Sequence, residues 1–264
     1  MASNGFWCPF TKKWSIFIDD GNGKAYSMKF DNPPPVGGRL DVSTMPLRMG
    51  EVVKVTGGTY HAYPDGSRQI FNHNLTYEKV AALILEQNKA RSDPQKYAEL
   101  YILPMLQYFN GLIYSAPGKM ANITQEGAAA VNECIAALNS AAAVGILRPE
   151  RGLSLAAKDH VADQGRTGGT GHNGSDGSTP DIRMMRYGAF TDQQWRGGGE
   201  NIAYGPTTGR DIVICLLVDD GVPGRGHRTN LLNNVYTQTG VGFGPQSYYG
   251  RNCTINYATG YRSN

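Results

Sequence analysis

Near residue 77 the chain changes its hydrophobic rhythm, and that switch constrains its architecture more than any other feature. Before it, Trp14–Ile18 and Lys24–Phe30 are short runs rich in aromatic and β-branched residues. They flank Asp19-Asp-Gly-Asn-Gly23, whose glycines and Asn accept positive φ at low cost, so a β-hairpin is predicted. Glu51–Thr56 reads as a further strand after the Pro33–Pro35 loop. Tyr60–Tyr63 and Ser67–Phe71 read as a second hairpin around Pro64-Asp-Gly66. Residues 1–77 are therefore expected to form a small antiparallel β-module, and residues 78–264 a second domain. The Asp19-Asp20 turn lacks the spaced oxygen ligands of a calcium loop and is read as a solvated turn.

From Thr76 the period becomes helical. Val80, Leu83, Ile84 and Leu85 open an apolar face, and Ser92-Asp-Pro94 is a break whose proline suits the first turn of the next helix, continued by Tyr97–Phe109. Further helices are predicted from Thr124 to about Leu138, from Leu153 to about Gln164 and from Asp211 to Val218. Asn201–Tyr204, Thr239–Phe243 and Cys253–Ala258 are strand-like and can form a three-stranded sheet with helices on its faces, an α/β/α sandwich. The fold class is thus α+β, a sandwich preceded by a β-module.

Composition removes several function classes. A chain of 264 residues with 40% hydrophobic and 18% charged residues is long and apolar enough to bury a core. A net charge of +3, with no block of Lys or Arg, gives no electrostatic footprint for nucleic acid. No apolar stretch reaches the roughly 18 residues of a membrane span, so no transmembrane segment is predicted. The start lacks the features of a secretory signal. If Met1 is the natural start, an intracellular location, cytosolic or within an assembly, is expected; a secreted chain whose signal has been removed is the alternative. The cysteines at 8, 134, 215 and 253 show no CxxC spacing and read as free buried thiols, with disulfides open in an oxidising compartment. Sequons at Asn74, Asn122, Asn173 and Asn252 carry meaning only in a secretory lumen.

The chemistry concentrates between Leu153 and Gly244. There His172, Glu200, Asp219 and His227 lie in four short polar motifs, each beside a segment expected in the core. Two imidazoles and two carboxylates from separate elements can converge on one divalent cation, or pair as hydrogen-bonded acid–imidazole couples, and either places them in one cleft. His172 among glycines also reads as a solvent-facing loop residue. Glu200, after Gly197-Gly-Gly199, also reads as an acceptor for backbone N–H groups, and His227 as a partner of Glu200. His160 and Asp163 read as a contact on a helix surface, and His61 and His73 have no evident partners. No Gly-x-Ser-x-Gly elbow occurs and no cysteine has a neighbouring His, so nucleophilic catalysis has no visible machinery.

His172 with Asp176-Gly-Ser178 and Arg183, then Gly199-Glu-Asn-Ile202, Gly226-His-Arg-Thr-Asn230 and Gly240-Val-Gly-Phe-Gly244, resemble in order and spacing the motifs of the CAP superfamily (cysteine-rich secretory proteins, antigen 5 and pathogenesis-related proteins, the SCP domain). The likeness is closest to its bacterial- and protist-style branch. It covers about residues 78–264, including Asn88–Pro94 at the entry, and has no counterpart for residues 1–77. The resemblance implies an α/β/α fold and a cleft bearing His172, Glu200, His227 and a second acid. For that acid Asp219 is the better match and Asp220 the reserve, because Leu216-Leu-Val-Asp-Asp220 stands where many relatives carry a Trp and a Glu.

The function expected from this resemblance is that of a non-catalytic binding or assembly protein, acting through a protein partner or larger assembly and through sterol, fatty-acid or phospholipid binding. Phe6, Trp7, Phe10 and Trp14 are candidate anchors for a partner, or packing residues of the module. The alternative is a metal-dependent hydrolase in which His172 and His227 hold a divalent metal, zinc, while Glu200 acts as base.

Overall fold

In the computed structural model, the structure describes residues 6–8, 13–19, 25–30, 58–62, 68–72, 75–191 and 197–264, with side chains from Lys79 onward. The chain divides into two compact units, Met1–Ala81 and Ala82–Asn264. In the first, β1 (Phe6–Cys8), β2 (Lys13–Asp19), β3 (Ala25–Phe30), β4 (Gly58–Ala62) and β5 (Arg68–Asn72) form one sheet in that order. The expected hairpin is present, with Trp14 opposite Phe30 and Asp19 opposite Ala25. The strand expected at 51–56 and His73 lie outside the described residues, as do the side chains of Phe6, Trp7, Cys8, Phe10, Trp14 and His61.

Helix α1 (Leu75–Ser92) ends where Asp93 caps α2 (Pro94–Tyr97) by accepting from the Lys96 amide, with Pro94 in the first turn. The helical path continues as a π-turn over Ala98–Ile102 and a 3-10 turn over Leu103–Tyr108. A small antiparallel sheet of β6 (Phe109–Asn110), β7 (Ile113–Tyr114) and β8 (Asn122–Ile123) follows, which periodicity did not announce because its strands are two residues long. Helix α3 (Ala128–Ser140) starts four residues later than expected: the amides of Gln125 and Glu126 donate to Asp220 at 2.7 and 2.8 Å instead of entering the helix.

Next come β9 (Arg148–Pro149), α4 (Arg151–Thr167), α5 (Pro180–Met185), β10 (Gly188–Phe190), β11 (Gly199–Tyr204), α6 (Gly209–Val218), α7 (Gly226–Leu231), β12 (Gln238–Gln246), β13 (Gly250–Ala258) and β14 (Tyr261–Ser263). The central sheet runs β11-β13-β12-β9, the three expected strands antiparallel and β9 added in parallel at the edge. Mixed α and β elements of this kind form the expected α/β/α sandwich.

The spacing Gly240-Val-Gly-Phe-Gly244 has a packing cause. Alternate residues of a strand share a face, so Gly240, Gly242 and Gly244 all look toward α4. A Cβ at Gly240 would fall inside the backbone of Leu153 and Ser154, and one at Gly242 would lie 2.6 Å from the Ala157 carbonyl carbon. The glycines let α4 rest directly on the strand. Val241, Ile255 and Tyr257 are fully buried on the opposite face.

The Asn88–Pro94 motif is a clamp. Asn88 exchanges two hydrogen bonds with the Leu147 backbone at 2.7 and 3.0 Å. The Arg91 guanidinium, fully buried, donates to the carbonyls of Gly145, Leu231, Asn233 and Tyr236 at 2.7–2.9 Å. Burial lowers the Arg91 pKa to about 10, and four carbonyl acceptors are what make a buried guanidinium tolerable.

Candidate functional site: two imidazole–carboxylate couples

His172 sits on the loop between α4 and α5. Gly168 closes α4 in the left-handed conformation, and Thr179 caps α5 with Pro180 in its first turn. Between them, His172 Nδ1 meets Glu200 Oε1 at 2.9 Å, and the other carboxylate oxygen accepts from Arg183 Nη2 at 2.9 Å. Arg183 also donates to the carbonyls of His172 and Ser178 at 2.9 and 2.8 Å. The side chains of Glu200 and Arg183 are 1% and 2% exposed, whereas that of His172 is 51% exposed. A buried ion pair therefore grips a half-exposed imidazole by Nδ1.

The second couple forms around the turn between α6 and α7. Asp219 ends α6 with φ 54°, and Arg225 precedes α7 with φ 52°; they are the two non-glycine residues with positive φ among those described. Asp219 Oδ1 meets His227 Nδ1 at 2.6 Å, and Oδ2 accepts the His227 amide at 2.9 Å. Strain of this kind persists where surrounding contacts over-determine it. Here Arg225 is held by Glu126 at 2.6 and 2.7 Å and by Glu133 at 3.1 Å. Its guanidinium hydrogen bonds lower the Glu126 carboxyl to about 2.

Strand β11 ties the couples together. Asn201, next to Glu200, donates to the His227 carbonyl at 2.9 Å; Asn230 donates to Asn201 Oδ1 at 3.0 Å and to the Glu200 carbonyl at 3.3 Å. The structure thus sorts the four residues into His172–Glu200 and His227–Asp219. The partner of His227 is Asp219, where sequence reasoning had offered Glu200. Glu200 accepts from side chains, where backbone N–H groups had been expected. Asp220, the reserve acid, instead holds the chain before α3. His160 and Asp163 are not a surface contact: His160 is fully buried, and Asp163 is bonded to Ser175 and Arg166. Arg183, Asn201 and Asn230 stood in the recognised motifs, but nothing in their spacing signalled their hydrogen-bonding roles.

Cys134, Cys215 and Cys253 are free thiols; Cys134 and Cys253 are buried and Cys215 is exposed. Burial raises the Cys134 thiol to about 12, which keeps it protonated at neutral pH. Among the described residues no three His, Cys, Asp or Glu groups come together as a metal-binding set, and no helix is long and apolar enough to cross a membrane.

A family model for the cysteine-rich secretory protein (CAP) family matches residues 85–259, well over half of the chain. The chain belongs to the CAP family. Among solved structures this CAP chain is similar to an outer surface protein of Borrelia burgdorferi, at 18% identity and a TM-score of 0.35, covering 46% of this chain and 80% of that one. It is also similar to an extracellular SCP-domain protein of Bacillus anthracis, again at 18% identity and a TM-score of 0.35, covering 92% of this chain and 66% of that one. No curated protein matches. The intracellular expectation is corrected at this point. The matched family is described as secretory, while the start of the chain, on which that expectation stood, decides nothing about location.

Proposed function

We propose that this CAP-family protein acts outside the cell as a binding module whose cleft takes a divalent cation at Nε2 of His172 and His227. The observation that carries the reading is shared by both imidazoles: each has Nδ1 on a buried carboxylate. A carboxylate on Nδ1 fixes the tautomer that leaves Nε2 with its lone pair, the arrangement that supports metal-bound histidines. By chemistry these residue types suit a cation taken by two imidazoles, with Glu200 and Asp219 supporting from behind. They do not fit a closed structural zinc site, which takes four protein ligands. Remaining coordination positions then fall to water or to donors from a protein partner. Sterol and lipid binding rests on the family resemblance alone.

The second reading is a metal-dependent hydrolase. It is favoured by the same two imidazoles, since a bound cation would lower the pKa of a coordinated water. Glu200, proposed from sequence as base, has its oxygens on His172 and Arg183.

Titration with cobalt(II), followed by absorption and calorimetry, tests the cation cleft. Saturable binding is expected that is lost in His172→Ala and in His227→Ala; stoichiometric binding unchanged in both variants would overturn the proposal. Ester and peptide panels run with and without zinc separate the readings, because turnover lost in His227→Ala makes the protein an enzyme.

A further inference from the structure

The apolar stripe of α4 changes character as it approaches the His172 loop. Leu153, Ala156 and Ala157 are followed on the same buried face by His160 and Gln164. The facing positions of β13, Asn256, Thr254 and Asn252, are also polar and at most 1% exposed. Such groups cost stability unless hydrogen bonded, and His160 Nδ1, Asn252 Oδ1, Thr254 Oγ1 and Asn256 Oδ1 have no partner among the described residues. A polar core retained with this many unpaired atoms calls for a reason.

The reason lies at Gly171, which precedes His172 and has φ +86°. Both of its backbone polar groups are held by side chains of this cluster. Its carbonyl accepts from His160 Nε2 at 2.8 Å and from Gln164 Nε2 at 2.7 Å. Its amide donates to the Tyr204 hydroxyl at 2.9 Å. The holders are fixed in turn: Gln164 Oε1 accepts from Tyr204 at 3.2 Å and from Asn252 at 3.0 Å. Helix α4 and strands β11 and β13 thus converge on one peptide of an otherwise exposed loop.

We infer that His160, Gln164 and Tyr204 are positioning residues that set the ring of His172, acting through the Gly171 backbone. Arg183 holds the His172 carbonyl from the other side, so the residue is fixed both before and after its side chain branches off. The part of the inference that concerns metal affinity rests on the cation-cleft reading; the part that concerns ring orientation does not.

The test uses the full chain with Tyr204→Phe, Gln164→Leu, His160→Leu and His160→Gln. Leu138→Ala, a core truncation in α3, serves as the control for general destabilisation. Three quantities are read: Gly171 amide exchange, the His172 tautomer by nitrogen NMR without metal, and cobalt(II) affinity. Tyr204→Phe removes one oxygen and carries the decision. It and the two Leu variants are expected to speed Gly171 exchange about tenfold, the equivalent of one lost hydrogen bond. They should also mix the His172 tautomers and lower cobalt affinity by about tenfold, the lower end of what supporting residues contribute. His160→Gln, which keeps a donor near the Nε2 position, should restore much of the wild-type behaviour. Unchanged exchange and tautomer in Tyr204→Phe and Gln164→Leu, or the same changes in Leu138→Ala, would overturn the inference. If the wild-type protein takes no cobalt, the cation reading fails by itself, and exchange and tautomer still decide the positioning role.

Discussion

Asp219 holds His227 at two points, accepting the backbone amide at 2.9 Å with one oxygen and meeting Nδ1 at 2.6 Å with the other. One carboxylate therefore caps the first turn of α7 and orients the imidazole, so the position of the ring cannot change without changing the helix start.

Asp219 carries φ 54°, a conformation that Asn tolerates and Ala does not. Asp219→Ala loses the cap and adds left-handed strain, each about 1 kcal/mol. A loss of about 2–3 kcal/mol in urea unfolding is expected, with Asp219→Asn losing about half as much. Equal midpoints for the two variants would contradict this assignment.

The pair of Arg183 and Glu200 is buried, so removing one charge leaves the other stranded. Glu200→Gln is expected to cost about 3–5 kcal/mol. Adding Arg183→Met to it should recover part of that loss, because the orphaned guanidinium goes too. A double-mutant cycle by denaturant unfolding measures the coupling; additive losses would show that the pair does not act as a unit.

Burial pulls the pKa of His160 below its ordinary 6.5, despite nearby Glu200 and Asp163, which raise it, while Arg183 lowers it further. The unfolded chain then binds the proton more readily than the folded one. Stability is fully present above about pH 6.5 and is lost as pH falls toward the folded value. His160→Gln should flatten the dependence of melting temperature on pH between 7.5 and 5, and parallel curves for variant and wild type would refute the effect. Below about pH 4.5, Glu86, Glu126 and Glu133, all lowered by hydrogen bonds to Lys or Arg, add a further loss in the same direction.

Close contact of α4 with β12 makes Gly242 intolerant. Gly242→Ala puts a methyl against helix backbone that cannot swing aside, so its cost should reach or exceed the top of the usual ~1–3 kcal/mol for overpacking. At Gly226 the added methyl meets open space, and Gly226→Ala should stay within about 0.5 kcal/mol of wild type. Thermal unfolding of the two variants compares them directly.

Much of this architecture is legible in the residues. Helical periodicity gave α1, α3, α4 and α6, and strand-like runs gave β11, β12 and β13, because a long element carries a composition and a rhythm that can be read along it. Four motifs in order gave the family and the four polar residues. Shorter pieces left no mark: β9 is two residues long, and α5 is six residues announced only by Thr179-Pro180.

What the chain alone determined, then, is which of its longer segments are helix or strand, and that His172, Glu200, Asp219 and His227 belong to one set of motifs. Only the tertiary structure decided that Glu200 serves His172, that Asp219 serves His227, and that His160 lies inside, holding Gly171. Periodicity records which face of an element is covered. A hydrogen bond depends on the direction and distance of two side chains brought together by different elements, and linear order carries no record of that meeting.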